Sequence, residues 1–245
     1  MIELNADVGE GMGHDAELLE VIDRANIACG FHAGDEASMK ATVQGASERG
    51  VAIGAHVSYR DREGFGRRRV EVTDVELTAQ IRVQIEALCE IADGLGATVG
   101  HCKAHGALYN DASIDPALAD VVVGVLIDYP SIEVVLAPAR SAMAEAAASV
   151  KIAVLREGFP DRGYNSDGTL ADRGLDGAVI HDSQLVAQRA HRMATTATVD
   201  GIDGSVVALP VDTICVHGDN PAALASARAV RAQLGPRKSG LFGQQ

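Results

Sequence analysis

The sequence predicts an α/β fold, a parallel sheet covered by helices, and three observations carry that expectation. Short apolar runs alternate with helical stretches along the chain, each run leads into a polar segment, and no composition break or low-complexity tract divides it. A length of 245 residues suits one (β/α) barrel domain spanning 1–245. Seven or eight strand–helix units fit either a closed barrel or an open doubly wound sheet, and periodicity alone does not choose between them.

The strands are read in order. Ile2 to Leu4 leads into Asn5-Ala6-Asp7-Val8-Gly9-Glu10, and Ala25 to Cys29 into Gly30-Phe31-His32. Val51 to Ala55 ends at His56, and Thr98 to Cys102 runs into Lys103 and His105. Glu133 to Ala137 is the fifth, Ile152 to Leu155 the sixth, ending near Glu157, and Ile214 to Val216 the seventh, ending at His217-Gly218-Asp219. The longest helix is expected at about Asp74 to Gly94, where Leu77, Ile81, Ile85, Leu88 and Ile91 fall on one face. Thr73 and Glu76 give it a capping box. Asp115-Pro116 and Asn220-Pro221 each read as an N-cap followed by proline at the first helical position. Asp203-Gly204 marks a small hairpin insertion near 199–209, and the tail from about 236 reads as loose or docked on a partner.

Composition narrows the function. The net charge of −13 disfavours nucleic acid and anionic membranes as partners. The four cysteines, Cys29, Cys89, Cys102 and Cys215, contain no C-x-x-C pair, so reduced thiols in a cytoplasmic protein are expected. The chain starts MIELNADVGE without a signal-like segment, and no apolar run approaches membrane-span length. No P-loop, G-x-G-x-x-G or G-x-S-x-G motif is present.

The informative feature is positional. Parallel α/β folds place their sites at the carboxyl ends of the strands. Here those ends carry Asn5, Asp7, Glu10, His32, Asp35, His56, Lys103, His105, Glu157, His217 and Asp219. A lone His or Asp at a strand end is more often a cap than a catalyst, but five of the eight histidines fall in or after these segments. Such a set can move protons or hold a divalent metal, although no H-E-x-x-H spacing is present. Lys103 is one of only four lysines and reads as a cation for a carboxylate or phosphate. Gly64-Phe65-Gly66-Arg67-Arg68-Arg69 reads as an anion site or docking patch, and the polar stretch from Phe159 to Arg173 as a loop covering a pocket.

These motifs resemble the LamB/YcsF family. The resemblance rests on Asn5-Ala6-Asp7-Val8-Gly9-Glu10, Ala25-Asn26-Ile27-Ala28-Cys29-Gly30-Phe31-His32-Ala33-Gly34-Asp35 and Ile53-Gly54-Ala55-His56. It continues through Gly64-Phe65-Gly66-Arg67-Arg68, Lys103-Ala104-His105-Gly106-Ala107-Leu108-Tyr109-Asn110 and Cys215-Val216-His217-Gly218-Asp219-Asn220-Pro221. Ala104, Val57-Ser58, Arg60 and Pro160 depart from the family's usual residues. The resemblance implies a distorted seven-stranded, TIM-like (β/α) barrel of the glycoside hydrolase and deacetylase type. It implies the A component of an ATP-dependent 5-oxoprolinase, working with B and C subunits to convert 5-oxo-L-proline to L-glutamate; homo-oligomerisation stays open.

Expected catalytic residues are Asp7, His56, Lys103, His105 and His217. Asn5, Glu10, His32, Asp35, Asn110 and Asp219 are expected to bind substrate, and Asp7, His32 and His56 to ligate a metal if one is held. ATP is the expected cosubstrate of the complex. The rival readings are a stand-alone metal-dependent amide hydrolase or deacetylase and a non-catalytic binding subunit.

Overall fold

The computed structural model describes residues 2–217 and 222–237. Six parallel strands run in chain order: β1 (Glu3–Val8), β2 (Arg24–Ala28), β3 (Ala52–Val57), β4 (Val99–Ala104), β5 (Val134–Ala137) and β6 (Ala153–Gly158). β7 (Thr198–Asp200) and β8 (Val206–Ala208) then pair antiparallel as a separate ribbon. β9 (Thr213–Val216) returns between β6 and β1 and closes a seven-stranded barrel, β1-β2-β3-β4-β5-β6-β9. The barrel is uneven: β1 and β2 pair at four positions, β6 and β9 only through Glu157–Thr213 and Gly158–Ile214. The closed barrel answers the choice that periodicity left open, and the hairpin expected near 199–209 is the ribbon.

Eight helices occur among the described residues: α1 (Asp15–Leu18), α2 (Glu36–Glu48), α3 (Asp74–Gly94), α4 (Gly106–Ile114), α5 (Pro116–Leu126), α6 (Ala142–Ser149), α7 (Ser183–Thr196) and α8 (Ala223–Leu234). α3 has the expected bounds and buries Leu77, Ile81, Ile85 and Leu88. Its capping box forms, Thr73 accepting from the Glu76 amide while the Glu76 carboxylate accepts from the Thr73 amide. Asp115 caps α5 ahead of Pro116. The Asn220-Pro221 cap lies outside the described residues. So does the tail beyond Arg237, whose guanidinium donates to the carbonyls of Leu19 and Arg49.

The strands extend further than the apolar runs suggest. Asn5, Asp7, His56, Lys103 and Glu157 stand inside strands and are buried. Alternation explains this: residues two apart share a face, so Asn5 and Asp7 on β1, and His101 and Lys103 on β4, form successive polar layers of the barrel interior. In the deeper layer the Asn5 amide donates to Thr213 Oγ1 (2.8 Å), and Asn26 Nδ2 donates to Asn5 Oδ1 and Asp7 Oδ1 (2.8 Å each). The His101 ring fills the space beside Gly54, where a Cβ would sit 2.2 Å from it.

Candidate active site

Above that layer the strands deliver a buried ion-pair centre. Lys103 Nζ lies 2.8 Å from Asp7 Oδ1, 3.0 Å from Glu157 Oε1 and 3.1 Å from Cys215 Sγ. Burial alone would push the lysine down, but Asp7, Cys215 and Glu157 outweigh it and hold the ammonium well above its ordinary value. Asp7 behaves the same way in reverse: burial would raise it, while His56 and Lys103 hold its carboxyl well below the usual range. Lys103 is therefore compensated by two protein carboxylates, and the open anion-binding cation expected from the sequence is not what the geometry presents.

Beside this centre sits an imidazole cluster. His32 and His105 stack with centroids 3.8 Å apart, and His56 meets each edge-on. His105 Nδ1 lies 2.9 Å from His56 Nε2, and His32 Nε2 lies 3.2 Å from Glu10 Oε1. The other ring nitrogens reach outward: His56 Nδ1 to the Lys103 carbonyl (3.1 Å), His105 Nε2 to the Phe65 carbonyl (2.9 Å) and His32 Nδ1 to Ser58 Oγ (3.0 Å). Burial lowers His32 to about 2, and burial with the neighbouring imidazoles lowers His105 well below its ordinary value. One ligand atom each from Glu10, His32, His56 and His105 lies within 4.8 Å of all the others, so this set could hold a metal. Asp7, expected as a ligand with His32 and His56, is not in the set; it pairs with Lys103 and lies 3.2 Å from His56 Nε2.

The Gly-Phe-Gly turn roofs the cluster. Phe65 has φ 54° and stands edge-on to His32 and His105. A Cβ at Gly66 would lie 2.8 Å from His105 Cδ2 and from His32 Cβ, and one at Gly106 would lie 2.3 Å from the Gly66 carbonyl oxygen. The following arginines do not act together as an anion site: Arg68 pairs with Asp61, Arg69 lies 3.7 Å from Asp111, and only Arg67 lines the cavity.

That cavity, of about 930 Å³, opens over Asp7, His56, Lys103 and His105. Asn110, on α4, and Arg67, Arg140, Arg162 and Arg173 also line it. The stretch after β6 covers the cavity as expected, through Tyr164, Asn165 and 167–173. Within this stretch Asp161 Oδ2 accepts from His217 Nδ1 (2.8 Å) and from the His217 amide (3.3 Å), and the Phe159 ring stacks on the imidazole at 5.2 Å. Burial would raise Asp161, but His217 holds it below the usual carboxylate value.

The expected residues thus fall into groups. Asp7, His56, Lys103, His105, His217 and Asn110 line the cavity, and Glu10 and His32 stand against His105. Asn5 lies in the layer beneath and braces Asp7 through Asn26 rather than facing ligand. Asp35 is an exposed N-cap of α2, bonded to the Ser38 amide and hydroxyl, because an Asx residue before a helix satisfies its free amides. Asp219 lies outside the described residues, and Asp161 supplies the carboxylate for His217. Sequence reasoning misses Asn26 and Asp161 as site residues; neither has a local signal separating it from an ordinary strand or loop residue.

A closed parallel barrel with buried ionisable groups at the carboxyl ends of its strands defines an α/β-barrel protein with an enzyme-like site. The chain belongs to the LamB/YcsF family, whose pattern it matches over residues 2–241. It is 44% identical over 238 residues to a 5-oxoprolinase A subunit of Pseudomonas syringae pv. tomato, covering 95% of this chain and 93% of that one. It is 43% identical to the 5-oxoprolinase A subunit of Symbiobacterium thermophilum, covering 95% and 91%. The crystal structure of the lactam utilization protein from Thermus thermophilus superposes with a TM-score of 0.88 at 36% identity, covering 95% of each chain.

Proposed function

We propose that this chain is the A component of an ATP-dependent 5-oxoprolinase, a single catalytic barrel that opens the lactam of 5-oxo-L-proline to give L-glutamate. The observation that carries the reading is the Asp161–His217 pair on the wall of an arginine-lined cavity. Two relatives at 43–44% identity are named as A subunits of 5-oxoprolinase, and that designation supports partner B and C subunits. Among the described residues no helix is long and apolar enough to cross a membrane. A cytoplasmic site of action fits the cysteines, all four of which are free.

A lactam is a poor electrophile because its nitrogen donates into the carbonyl. Transfer of a phosphoryl group from ATP to the lactam oxygen produces a cationic imidate and ADP. Water adds to that carbon and loses a proton; the C–N bond then breaks, and the nitrogen leaves as the amine after gaining a proton. A second water hydrolyses the resulting acyl phosphate to glutamate and phosphate. His217 is placed to take the proton from the first water: Asp161 fixes its Nδ1–H, which leaves Nε2 as the acceptor. Arg67 and Arg173 provide cations for the substrate carboxylate or the phosphoryl group. Lys103 and Asp7 hold the floor of the cavity beside the reacting ring, and Asn110 orients it. The chain has no P-loop, so the adenine and ribose of ATP are assigned to a partner subunit.

The test is reconstitution of this chain with its two partner subunits, ATP and 5-oxo-L-proline. Glutamate release that stops when this chain is left out supports the reading. Release without the chain, or release by this chain alone without ATP, contradicts it.

A further inference from the structure

We infer that Glu10, His32, His56 and His105 form a binding site for one divalent transition-metal ion of the zinc, cobalt or nickel type. The argument starts from which ring nitrogens carry hydrogens. The outward partner of His56 Nδ1 is the Lys103 carbonyl and that of His105 Nε2 is the Phe65 carbonyl. A carbonyl only accepts, so each of those nitrogens carries its N–H. In a neutral imidazole the opposite nitrogen then carries a lone pair. With His56 neutral, its Nε2 and His105 Nδ1 turn two lone pairs on each other across 2.9 Å; without an ion, a proton on His56 Nε2 bridges to the Asp7 carboxylate 3.2 Å away, and a metal ion would take that proton's place.

His32 repeats the arrangement. The Ser58 hydroxyl donates to the Tyr59 carbonyl, so Ser58 Oγ is left to accept from His32 Nδ1–H. His32 Nε2 then directs a lone pair at Glu10 Oε1, 3.2 Å away. One nitrogen from each imidazole and one carboxylate oxygen gather within 4.8 Å of one another, each imidazole oriented by an outer partner; the His32 and His105 rings stack, so one of them must tilt for both lone pairs to meet an ion. Outer partners of this kind accompany metal-bound histidines.

Three of the six ligand separations come near those of a metal shell and none exceeds 4.8 Å, so the set closes slightly on binding an ion. Four ligands arranged tetrahedrally about zinc at roughly 2.0–2.1 Å are separated from one another by about 3.4 Å. The measured ligand-to-ligand separations are 2.9 Å for His56–His105, 3.2 Å for His32–Glu10 and 3.7 Å for His105–Glu10. Three imidazoles and one carboxylate favour a borderline ion over magnesium or calcium, which prefer all-oxygen sites. His56 and His105 line the cavity, so an ion there stands beside any ligand it holds.

The test uses the purified full-length chain and the metal ion alone. The chain is stripped with a chelator, incubated with Zn²⁺ or Co²⁺, desalted and assayed for metal content, with the visible spectrum recorded for cobalt. The expected result is about one equivalent per chain and cobalt bands of low-coordinate N/O ligation. Glu10→Gln and His105→Ala should each lose most of the bound metal. Circular dichroism of the metal-free variants shows whether they fold, and should His105→Ala fail to fold, wild-type stoichiometry and Glu10→Gln decide the matter. Wild type without stoichiometric metal, or full stoichiometry in folded Glu10→Gln and His105→Ala variants, would overturn the inference. The inference does not rest on the proposed activity, and since neither 5-oxoproline nor ATP enters the assay, its failure leaves the 5-oxoprolinase reading intact.

Discussion

Asp161 grips His217 twice, through its imidazole Nδ1 at 2.8 Å and through its backbone amide at 3.3 Å. The two residues are far apart in sequence, and the fold joins the loop after β6 to the end of β9. One carboxylate oxygen thus fixes the tautomer of a cavity-wall histidine and the backbone that carries it.

The first prediction concerns that pair. Asp161→Asn keeps the shape but removes the charge and the preference for Nδ1–H. Glutamate formation by the reconstituted complex should fall about a hundredfold or more, with partner binding retained. Turnover within a few-fold of wild type would show that His217 does not need its carboxylate.

Asp161 also predicts an acid limb of stability. Its native carboxyl is held below the 3.8 of an unfolded aspartate, so the unfolded state binds the proton more readily. The contribution is complete above about pH 5 and is lost as the pH falls through 3.8 toward the lowered native value. Urea unfolding of wild type and Asp161→Asn between pH 3 and 7 checks this: the variant should have the shallower acid slope.

Lys103 is predicted to stabilise the fold through two buried ion pairs. Lys103→Met leaves Asp7 and Glu157 without their shared ammonium, which should cost about 3–5 kcal/mol in unfolding free energy. Chemical denaturation measures the loss. A cost under about 1 kcal/mol would mean that the carboxylates find other partners or take up protons.

The glycine contact over the imidazoles gives a steric prediction. Gly106 has φ +58°, and an added Cβ would approach the Gly66 carbonyl oxygen to 2.3 Å. Gly106→Ala should therefore displace the Gly64–Arg67 turn and cost about 2 kcal/mol or more. Loss of the His105–Phe65 hydrogen bond, followed by the His105 ring resonances in NMR spectra, would accompany it.

Much of the barrel was legible because its strands and helices carry strong local signals. The α3 face and capping box, the Asp115-Pro116 start of α5 and the Asp203-Gly204 hairpin all follow from adjacent residues. Strand lengths were less legible. Asn5, Asp7, His56, Lys103 and Glu157 looked like loop residues because polar side chains normally end a buried strand; here they fill the barrel's own interior. The spacing of His101, Lys103 and His105, each two apart, was the available clue. Asp35 looked like a site residue for the opposite reason: helix caps and ligand-binding carboxylates occupy the same strand-end positions. The partnership of Asp161 with His217 had no sequence signal, since only barrel closure brings them together.

The most direct measurement is glutamate release from 5-oxo-L-proline by the three-subunit mixture with ATP, comparing wild-type chain with His217→Ala. If ring opening occurs in this cavity, the variant should assemble normally and release glutamate at least about a hundredfold more slowly. Wild-type rates from a fully assembled His217→Ala complex would contradict the assignment and move the chemistry off this residue.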